Sequence, residues 1–160
     1  MTGYLRDSPA EFEALRDSTS ERLGVDRGAV EKDYWATEVL RSACTVDVGV
    51  EGVVFKGGTS LSKAFGLIER FSENVDLLVV TTATGNALKW TLRGVADRVS
   101  AGLGIEYDRE REGSGYLSAR FAYPTASPVS FLTSGVLLHH RAIVGDVEAL
   151  QRGARHLYDI

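Results

Sequence analysis

A pair of glycines between a predicted strand and a predicted helix constrains the fold of this chain more than any other feature. The β-branched run GVVFK at 52–56 predicts a buried strand, and Gly57 and Gly58 follow it directly. Because glycine has no Cβ, the backbone at such a turn can approach a ligand closely. Apolar residues at helical spacing predict a helix over 59–70, and NVDLLVV at 74–80 predicts the next strand.

Two polar positions open that second strand, Asn74 and Asp76. They are two residues apart, so their side chains point to the same face of the strand. A pair of acids at this spacing binds Mg²⁺ together with phosphate oxygens. Two such metal ions activate an attacking hydroxyl and neutralise the leaving pyrophosphate. Here the first member of the pair is an amide, whose oxygen can ligate the cation but brings no charge.

The glycine turn is suited to a phosphate group, since free backbone N–H groups at the start of a helix attract anions. The pattern is not a Walker A loop, in which the lysine follows the second glycine, because here Lys56 precedes Gly57. A tight turn that binds no ligand is the alternative explanation of the two glycines.

The rest of the chain predicts helices packed on a mixed sheet, which places the fold in the α/β or α+β class. Ser8, Pro9 and Glu11 have the spacing of a capping box with proline at the first helical position. Cys44 is the single cysteine of the chain and is predicted to be a small buried residue. The further predicted helices are 8–24, 26–44, 85–104 and 146–160, and the further predicted strands lie within 105–112, 116–124 and 129–144.

The charge balance and the chain ends narrow the class of protein. A formal net charge of −4 and a sequence pI of about 5.4 argue against a broad cationic surface for nucleic acid, although a local basic groove is still allowed. The N-terminus has no apolar signal core, and no apolar run is long enough to cross a bilayer. These features predict a soluble, cytoplasmic protein with no membrane partner.

Two further groups of titratable residues are candidate metal ligands. His139 and His140 are neighbours on a predicted strand, so they point to opposite faces and do not easily share one ion. Glu106, Asp108 and Glu110 alternate along another predicted strand and would supply a carboxylate if the sheet brought them beside the acidic strand. The favoured interpretations are ordinary polar roles for the histidines and a charged, exposed edge strand for the three acids.

Three segments resemble the AbiEii-type nucleotidyltransferase toxins, the family that includes the MenT toxins of type IV toxin–antitoxin systems. Residues 30–43 (VEKDYWATEVLRSA) are similar to the family's N-terminal helix, 55–79 (FKGGTSLSKAFGLIERFSENVDLLV) to its long glycine-containing segment, and 155–160 (RHLYDI) to its last motif. The resemblance implies a polymerase-β-like nucleotidyltransferase core, Mg²⁺, and a nucleoside triphosphate as donor. It also implies RNA as acceptor, the 3′ end of tRNA in some members, and a cognate antitoxin as partner.

The resemblance implies roles for individual residues, carried over position by position. For Asp159 a surface aspartate at a helix end is the alternative interpretation, and for Lys63 and Arg70 a solvated helix position. Catalysis would rest on Asp76, Asp159 and Arg70, and metal binding on Asp76 and Asn74. Nucleotide binding would rest on Lys56, Gly57, Gly58, Thr59, Ser60, Lys63 and Ser72.

The sequence departs from the family pattern in ways that bear on activity. Asn74 stands where the family has the first acid of its pair, and Gly145-Asp146 stand where a Glu-Lys pair is usual. The short chain predicts one nucleotidyltransferase-like domain over 1–160, shortened at its C-terminus. The alternative function is therefore a catalytically degenerate relative that binds nucleotide, RNA or a partner protein without turnover. The predicted parts of the domain are N-terminal helices over 1–50, a sheet core over 51–145, and the start of a truncated helical part over 146–160.

Overall fold

The structure of the chain is a computed structural model that describes residues 4–45, 52–63, 74–124 and 135–144. A short 3-10 turn at Leu5–Asp7 opens the described chain. The helices are α1 (Pro9–Leu23), α2 (Arg27–Cys44), α3 (Gly58–Lys63) and α4 (Gly85–Leu103), and the strands are β1 (Gly52–Lys56), β2 (Asn74–Thr81), β3 (Tyr107–Gly113), β4 (Tyr116–Phe121) and β5 (Val136–Val144).

The five strands form one mixed sheet in the order β1-β2-β5-β4-β3. β2 and β5 run parallel, whereas β1–β2, β5–β4 and β4–β3 are antiparallel pairs. The mixed sheet with packed helices confirms the predicted class, an α+β fold of the nucleotidyltransferase-like kind. The parallel pair at the centre joins two strands that are far apart in the sequence.

Helices α2 and α4 pack on the sheet and bury alternate residues of its strands. Along β2, Val75, Leu77 and Val79 have no exposed surface, whereas the residues between them are half-buried. Complete burial of each such side chain contributes roughly 1.5–3 kcal/mol to stability. The alternation therefore turns Asn74 and Asp76 away from the apolar core, onto the opposite face of the sheet.

The ends of the helices follow the sequence in most places. Gly24 ends α1 in the left-handed conformation, and its N–H donates to the carbonyl of Ser20. The predicted capping box at Ser8 is wrong, because the Ser8 side chain makes no capping hydrogen bond. The backbone N–H of Ser8, which Glu11 would have engaged, donates instead to the carbonyl of Leu5 in the preceding 3-10 turn.

Cys44 is exposed, so the prediction of a buried cysteine is also wrong. It is the last residue of α2, directly after Ala43, which is buried against the sheet. Successive helical residues differ by about 100° in direction. The residue after a core-facing position therefore turns toward solvent.

The charged strand β3 lies at the edge of the sheet, three strands away from β2. Its residues Asp108 to Arg111 are exposed, and its pairing with β4 shifts register between Arg109 and Arg111. Charges and a bulge on an edge strand discourage pairing with another sheet. The edge-strand interpretation is confirmed, and these acids do not reach Asp76.

Part of one predicted helix and the whole of another lie outside the described residues. Helix α3 begins at Gly58, one residue before the predicted start, and the rest of the predicted 59–70 helix from residue 64 onward is not described. The predicted helix at 146–160 is also outside the described part. Among the described residues, no helix is both long and apolar enough to cross a membrane.

Candidate active site

The glycine turn between β1 and α3 lies directly against the carboxylate of Asp76. Gly57 has φ +80°, and a Cβ built on it would lie 2.6 Å from Oδ2 and 3.2 Å from Cγ of Asp76. The position therefore requires glycine for two reasons, the left-handed backbone and the lack of space for a side chain. The sequence predicted a close approach of this backbone to a ligand, whereas the contact that the structure shows is with the carboxylate of Asp76.

The hydroxyls of Thr59 and Ser60 hold this turn in place. Thr59 Oγ1 donates to the backbone carbonyl of Asn74 at 2.6 Å, and Ser60 Oγ donates to the carbonyl of Gly57 at 2.7 Å. Both residues are buried. The first bond ties the start of α3 to the start of β2, so the two hydroxyls fix the distance between the turn and Asp76.

Asp76 lies at the centre of the candidate site. It is half-buried and alternates with the buried Val75 and Leu77, so its side chain does not enter the apolar interior. In the antiparallel register of β1 and β2 it is the partner of Lys56. Directly paired residues of neighbouring strands share a face of the sheet, which brings Lys56, the glycine turn and Asp76 together.

The donor set at this place fits a cation site with few protein ligands. Asp76 provides one carboxylate, and Asn74, two residues earlier on the same face, provides one amide oxygen. Mg²⁺ is commonly bound by one or two carboxylates while substrate phosphates and water complete its shell. Within the described part of the chain, no three acidic, histidine or cysteine side chains cluster as a metal site would require. A cation here would depend on oxygens of a bound ligand or of water to complete its shell.

A second row of polar residues continues from Asp76 across the sheet. In the parallel register of β2 and β5, Asp76 is the partner of His139, and His139 is in turn the partner of Ser118 on β4. Ser118 Oγ and His139 Nδ1 are 2.8 Å apart and form a hydrogen bond. A cavity of about 280 Å³ is lined by Lys56, Leu77, Tyr116, Leu117, Ser118, His139 and His140.

Sequence reasoning missed the place of His139 beside Asp76. It assigned ordinary polar roles to both histidines because it had no means of knowing which strand lies next to β2. The pattern did indicate that the two neighbours point to opposite faces, and the structure confirms this. No local signal in the sequence would have found this neighbour, because the pairing of β5 with β2 is not a local property.

His140 belongs to the core rather than to the site. It is about 1% exposed, and its Nε2 donates a hydrogen bond to the carbonyl of Leu92 on α4 at 2.7 Å. Burial, which disfavours the charged ring, lowers the pKa of His140 to about 4. The ring is therefore neutral at physiological pH, and its hydrogen bond to Leu92 links β5 to α4.

The remaining predicted site residues are not placed relative to Asp76. Lys63 ends α3, but its side chain is not among those described. The segment with Arg70 and Ser72, and the end of the chain with Asp159, lie outside the described residues. Gly145-Asp146, the departure from the family pattern, lies outside them as well.

Comparison with known families gives a match to a family model. Residues 43–136, more than half of the chain, match the family model described as nucleotidyl transferase AbiEii toxin of a type IV toxin–antitoxin system. The matched range contains the glycine turn and Asp76 but ends before His139. Of the three segments that resemble the family, the first overlaps this range only at Ala43, and the last lies beyond it. A comparison with curated proteins gives no match.

Proposed function

We propose a function on one premise: the chain belongs to the AbiEii family of nucleotidyl transferase toxins of type IV toxin–antitoxin systems. Such a toxin implies a nucleoside triphosphate as substrate and an antitoxin as partner. We propose that this chain transfers a nucleotide from the triphosphate to RNA, at the 3′ end of a tRNA, and releases pyrophosphate. The reaction would take place in the cytoplasm, which would contain both the tRNA and the antitoxin of this protein.

The observation that carries this proposal is the contact between the Gly57 backbone and the Asp76 carboxylate. A backbone without side chains can approach a polyphosphate closely, and a carboxylate on the next strand can bind the cation that accompanies it. Nucleotidyl transfer needs both groups within the length of one triphosphate. Their proximity supports a nucleotide site better than it supports a ligand-free turn.

The proposed roles follow from these positions. Lys56, Gly57 and Gly58 would bind the triphosphate, with Thr59 and Ser60 holding the turn. Asp76 and Asn74 would bind Mg²⁺, which when bound neutralises charge on the phosphates and polarises the reacting groups. Further contacts to the phosphates and to the reacting atoms are proposed for Lys63, Arg70, Ser72 and Asp159.

We also propose that residues 1–160 form a single nucleotidyltransferase-like domain. Helix α2 packs on both β2 and β5, so this N-terminal helix and the sheet share one hydrophobic core. Trp35 and Val39 of α2 are buried in the same cluster as Val75 and Leu138 of the central strands. A shared core supports one folding unit rather than separate helical and sheet domains.

Nucleotide transfer tests the proposal directly. Purified protein is incubated with each labelled nucleoside triphosphate, Mg²⁺ and total tRNA, and label in RNA is measured. We expect transfer from at least one nucleotide and its loss in Asp76→Asn. The matched control is Asp108→Asn, which removes an acid from the exposed edge strand and should leave transfer unchanged. No label from any of the four nucleotides would refute the proposed activity.

A second function, nucleotide or partner binding without turnover, is favoured by the single carboxylate of the donor set. With Asn74 in place of an acid, the site has one negative charge fewer to hold divalent cations. Calorimetry of triphosphate binding with and without Mg²⁺ separates the two functions. Binding that ignores Mg²⁺, together with transfer that appears only in Asn74→Asp, would establish the non-catalytic function. Mg²⁺-coupled binding with turnover would exclude it.

A further inference from the structure

His139 lies on the opposite side of Asp76 from the glycine turn. β2 is flanked by β1 and β5, and Asp76 is paired with Lys56 on one side and with His139 on the other. Neighbouring strands are about 4.8 Å apart, and directly paired side chains share a face. The site therefore has two sides, a glycine-turn side and a histidine side, with the carboxylate between them.

The imidazole of His139 is held in a defined orientation. Its Nδ1 is hydrogen-bonded to Oγ of Ser118, and Ser118 is only 6% exposed. Both side chains line the cavity of about 280 Å³. Among the described residues, Nε2 has no hydrogen-bond partner, so this nitrogen is left for a group that enters the cavity.

The in-line geometry of nucleotidyl transfer suggests a function for the histidine side. In nucleotidyl transfer the attacking oxygen and the leaving oxygen lie on opposite sides of the phosphorus, roughly in line. If the glycine turn holds the leaving pyrophosphate, the attacking hydroxyl arrives from the other side of Asp76. That side is occupied by His139.

We propose that His139, held by Ser118, receives the attacking hydroxyl of the acceptor; this inference rests on the proposed function. The hydroxyl oxygen forms a bond to the α-phosphorus, and its proton passes to Nε2 of His139. The bond from that phosphorus to the bridging oxygen breaks, and pyrophosphate leaves with the electron pair. For Nε2 to accept a proton, the neutral ring must carry its hydrogen on Nδ1 and donate it to Ser118 Oγ.

Kinetics of matched variants test this role. His139→Gln should lower the rate of transfer about 100-fold or more, the size expected for loss of a positioned proton acceptor. Its dissociation constant for the triphosphate should stay within about two-fold, because His139 lies away from the glycine turn. Ser118→Ala should lower the rate by a smaller factor, and added imidazole should restore part of the rate to His139→Ala. Thr91→Ala on α4 is the control for loss of a hydroxyl and should be unaffected.

Two outcomes separate failure of this inference from failure of the proposed function. An active wild-type protein whose His139→Gln variant transfers at the same rate would overturn the inference and leave the proposed function standing. No transfer by the wild type would remove the proposed function, and the inference with it.

The tautomer provides a test that does not depend on activity. Long-range ¹H–¹⁵N correlations of ¹⁵N-histidine protein, with the His139 signals identified by their absence in His139→Gln, report which nitrogen carries hydrogen. We expect hydrogen on Nδ1. Hydrogen on Nε2 would overturn the inference whatever the activity of the protein.

Discussion

At the scale of single residues, the site depends on the packing of one glycine against one carboxylate. Gly57 combines a left-handed backbone with a distance of 2.6 Å between its built Cβ and Asp76 Oδ2. The first property is foreseeable from the sequence, because a glycine after a strand is typical of such a turn. The second depends on the register of β1 with β2, which places Lys56 opposite Asp76.

Alanine at position 57 should therefore both destabilise the protein and displace Asp76. The left-handed backbone alone costs about 1–2 kcal/mol for a residue with a Cβ, and the contact with Asp76 adds to it. Two controls separate these costs. Gly24→Ala has the left-handed φ with nothing within 4 Å, and Gly52→Ala has neither feature.

Urea unfolding should rank the three glycine variants in the order Gly57→Ala, Gly24→Ala, Gly52→Ala, from the largest to the smallest loss of stability. Only Gly57→Ala should also weaken triphosphate binding in calorimetry. If Gly57→Ala and Gly24→Ala lost the same stability and bound nucleotide equally, the contact between Gly57 and Asp76 would have no energetic role.

His140 should make the stability of the protein depend on pH. Its folded pKa of about 4 lies below the ordinary value of about 6.5, so the unfolded chain binds the proton more readily. The free energy of unfolding is then highest above about pH 6.5 and falls as the pH drops toward 4. The maximum loss from this residue is on the order of 3 kcal/mol, at 1.36 kcal/mol per pKa unit.

The comparison that isolates this effect is His140→Gln, which retains a donor for the Leu92 carbonyl. Urea unfolding of both proteins at pH 7, 6, 5 and 4.5 should show a steeper loss of stability for the wild type than for the variant. Parallel pH profiles would mean that His140 titrates normally and is not held neutral by burial.

At the scale of elements, the helix ends show where local signals suffice. Asp26 caps α2, and its Oδ1 accepts hydrogen bonds from the backbone N–H groups of Gly28 and Ala29 at 2.8 and 3.3 Å. Ser8 has the right residue type for α1, but its side chain makes no such bond, and its backbone N–H, which Glu11 would have engaged, donates to the carbonyl of Leu5. The residue type at a helix start therefore does not by itself decide whether a capping hydrogen bond forms.

Removal of the two candidate caps should have unequal effects. Asp26→Ala should lower the free energy of unfolding by about 1 kcal/mol, the usual cost of losing a capping side chain. Ser8→Ala should change it by much less, since the Ser8 side chain makes no capping bond. Thermal or urea unfolding measures both, and equal losses would contradict the assigned caps.

At the scale of the whole molecule, Arg6 connects three separate parts of the chain. It lies in the 3-10 turn, pairs with Glu38 of α2, and donates from Nη2 to the carbonyl of Gly102 on α4 at 3.1 Å. The side chain of Glu38 is 1% exposed and also pairs with Arg41. Loss of one partner of a buried carboxylate leaves its charge less well compensated.

Arg6→Met should therefore destabilise the protein by about 2–3 kcal/mol, somewhat less than a fully unpaired buried charge because Arg41 remains. The control is Arg27→Met, which removes an exposed partner of Asp17 at 3.4 Å and should cost less than about 1 kcal/mol. Urea unfolding of the two variants should show this difference. Similar losses would mean that the buried ion pair contributes no more to the free energy of unfolding than the exposed pair.

The sequence by itself determined the features that arise from neighbouring residues. These are the strand, glycine turn and helix around Gly57, the placement of Asn74 and Asp76 on one face of β2, the opposite directions of His139 and His140, and the family. Each follows from backbone geometry within a few residues or from a long contiguous motif. Most of the element order of the described chain could be predicted on that basis.

Only the tertiary structure decided which strands are neighbours. The parallel pairing of β5 with β2 places His139 beside Asp76, and no local pattern specifies a partner strand far along the chain. The pairing is selected because it lets α2 and α4 cover Val75, Leu77 and Leu138 in one core. Burial of apolar surface is a property of the assembled sheet, and for that reason the position of His139 beside Asp76 became visible only in the fold.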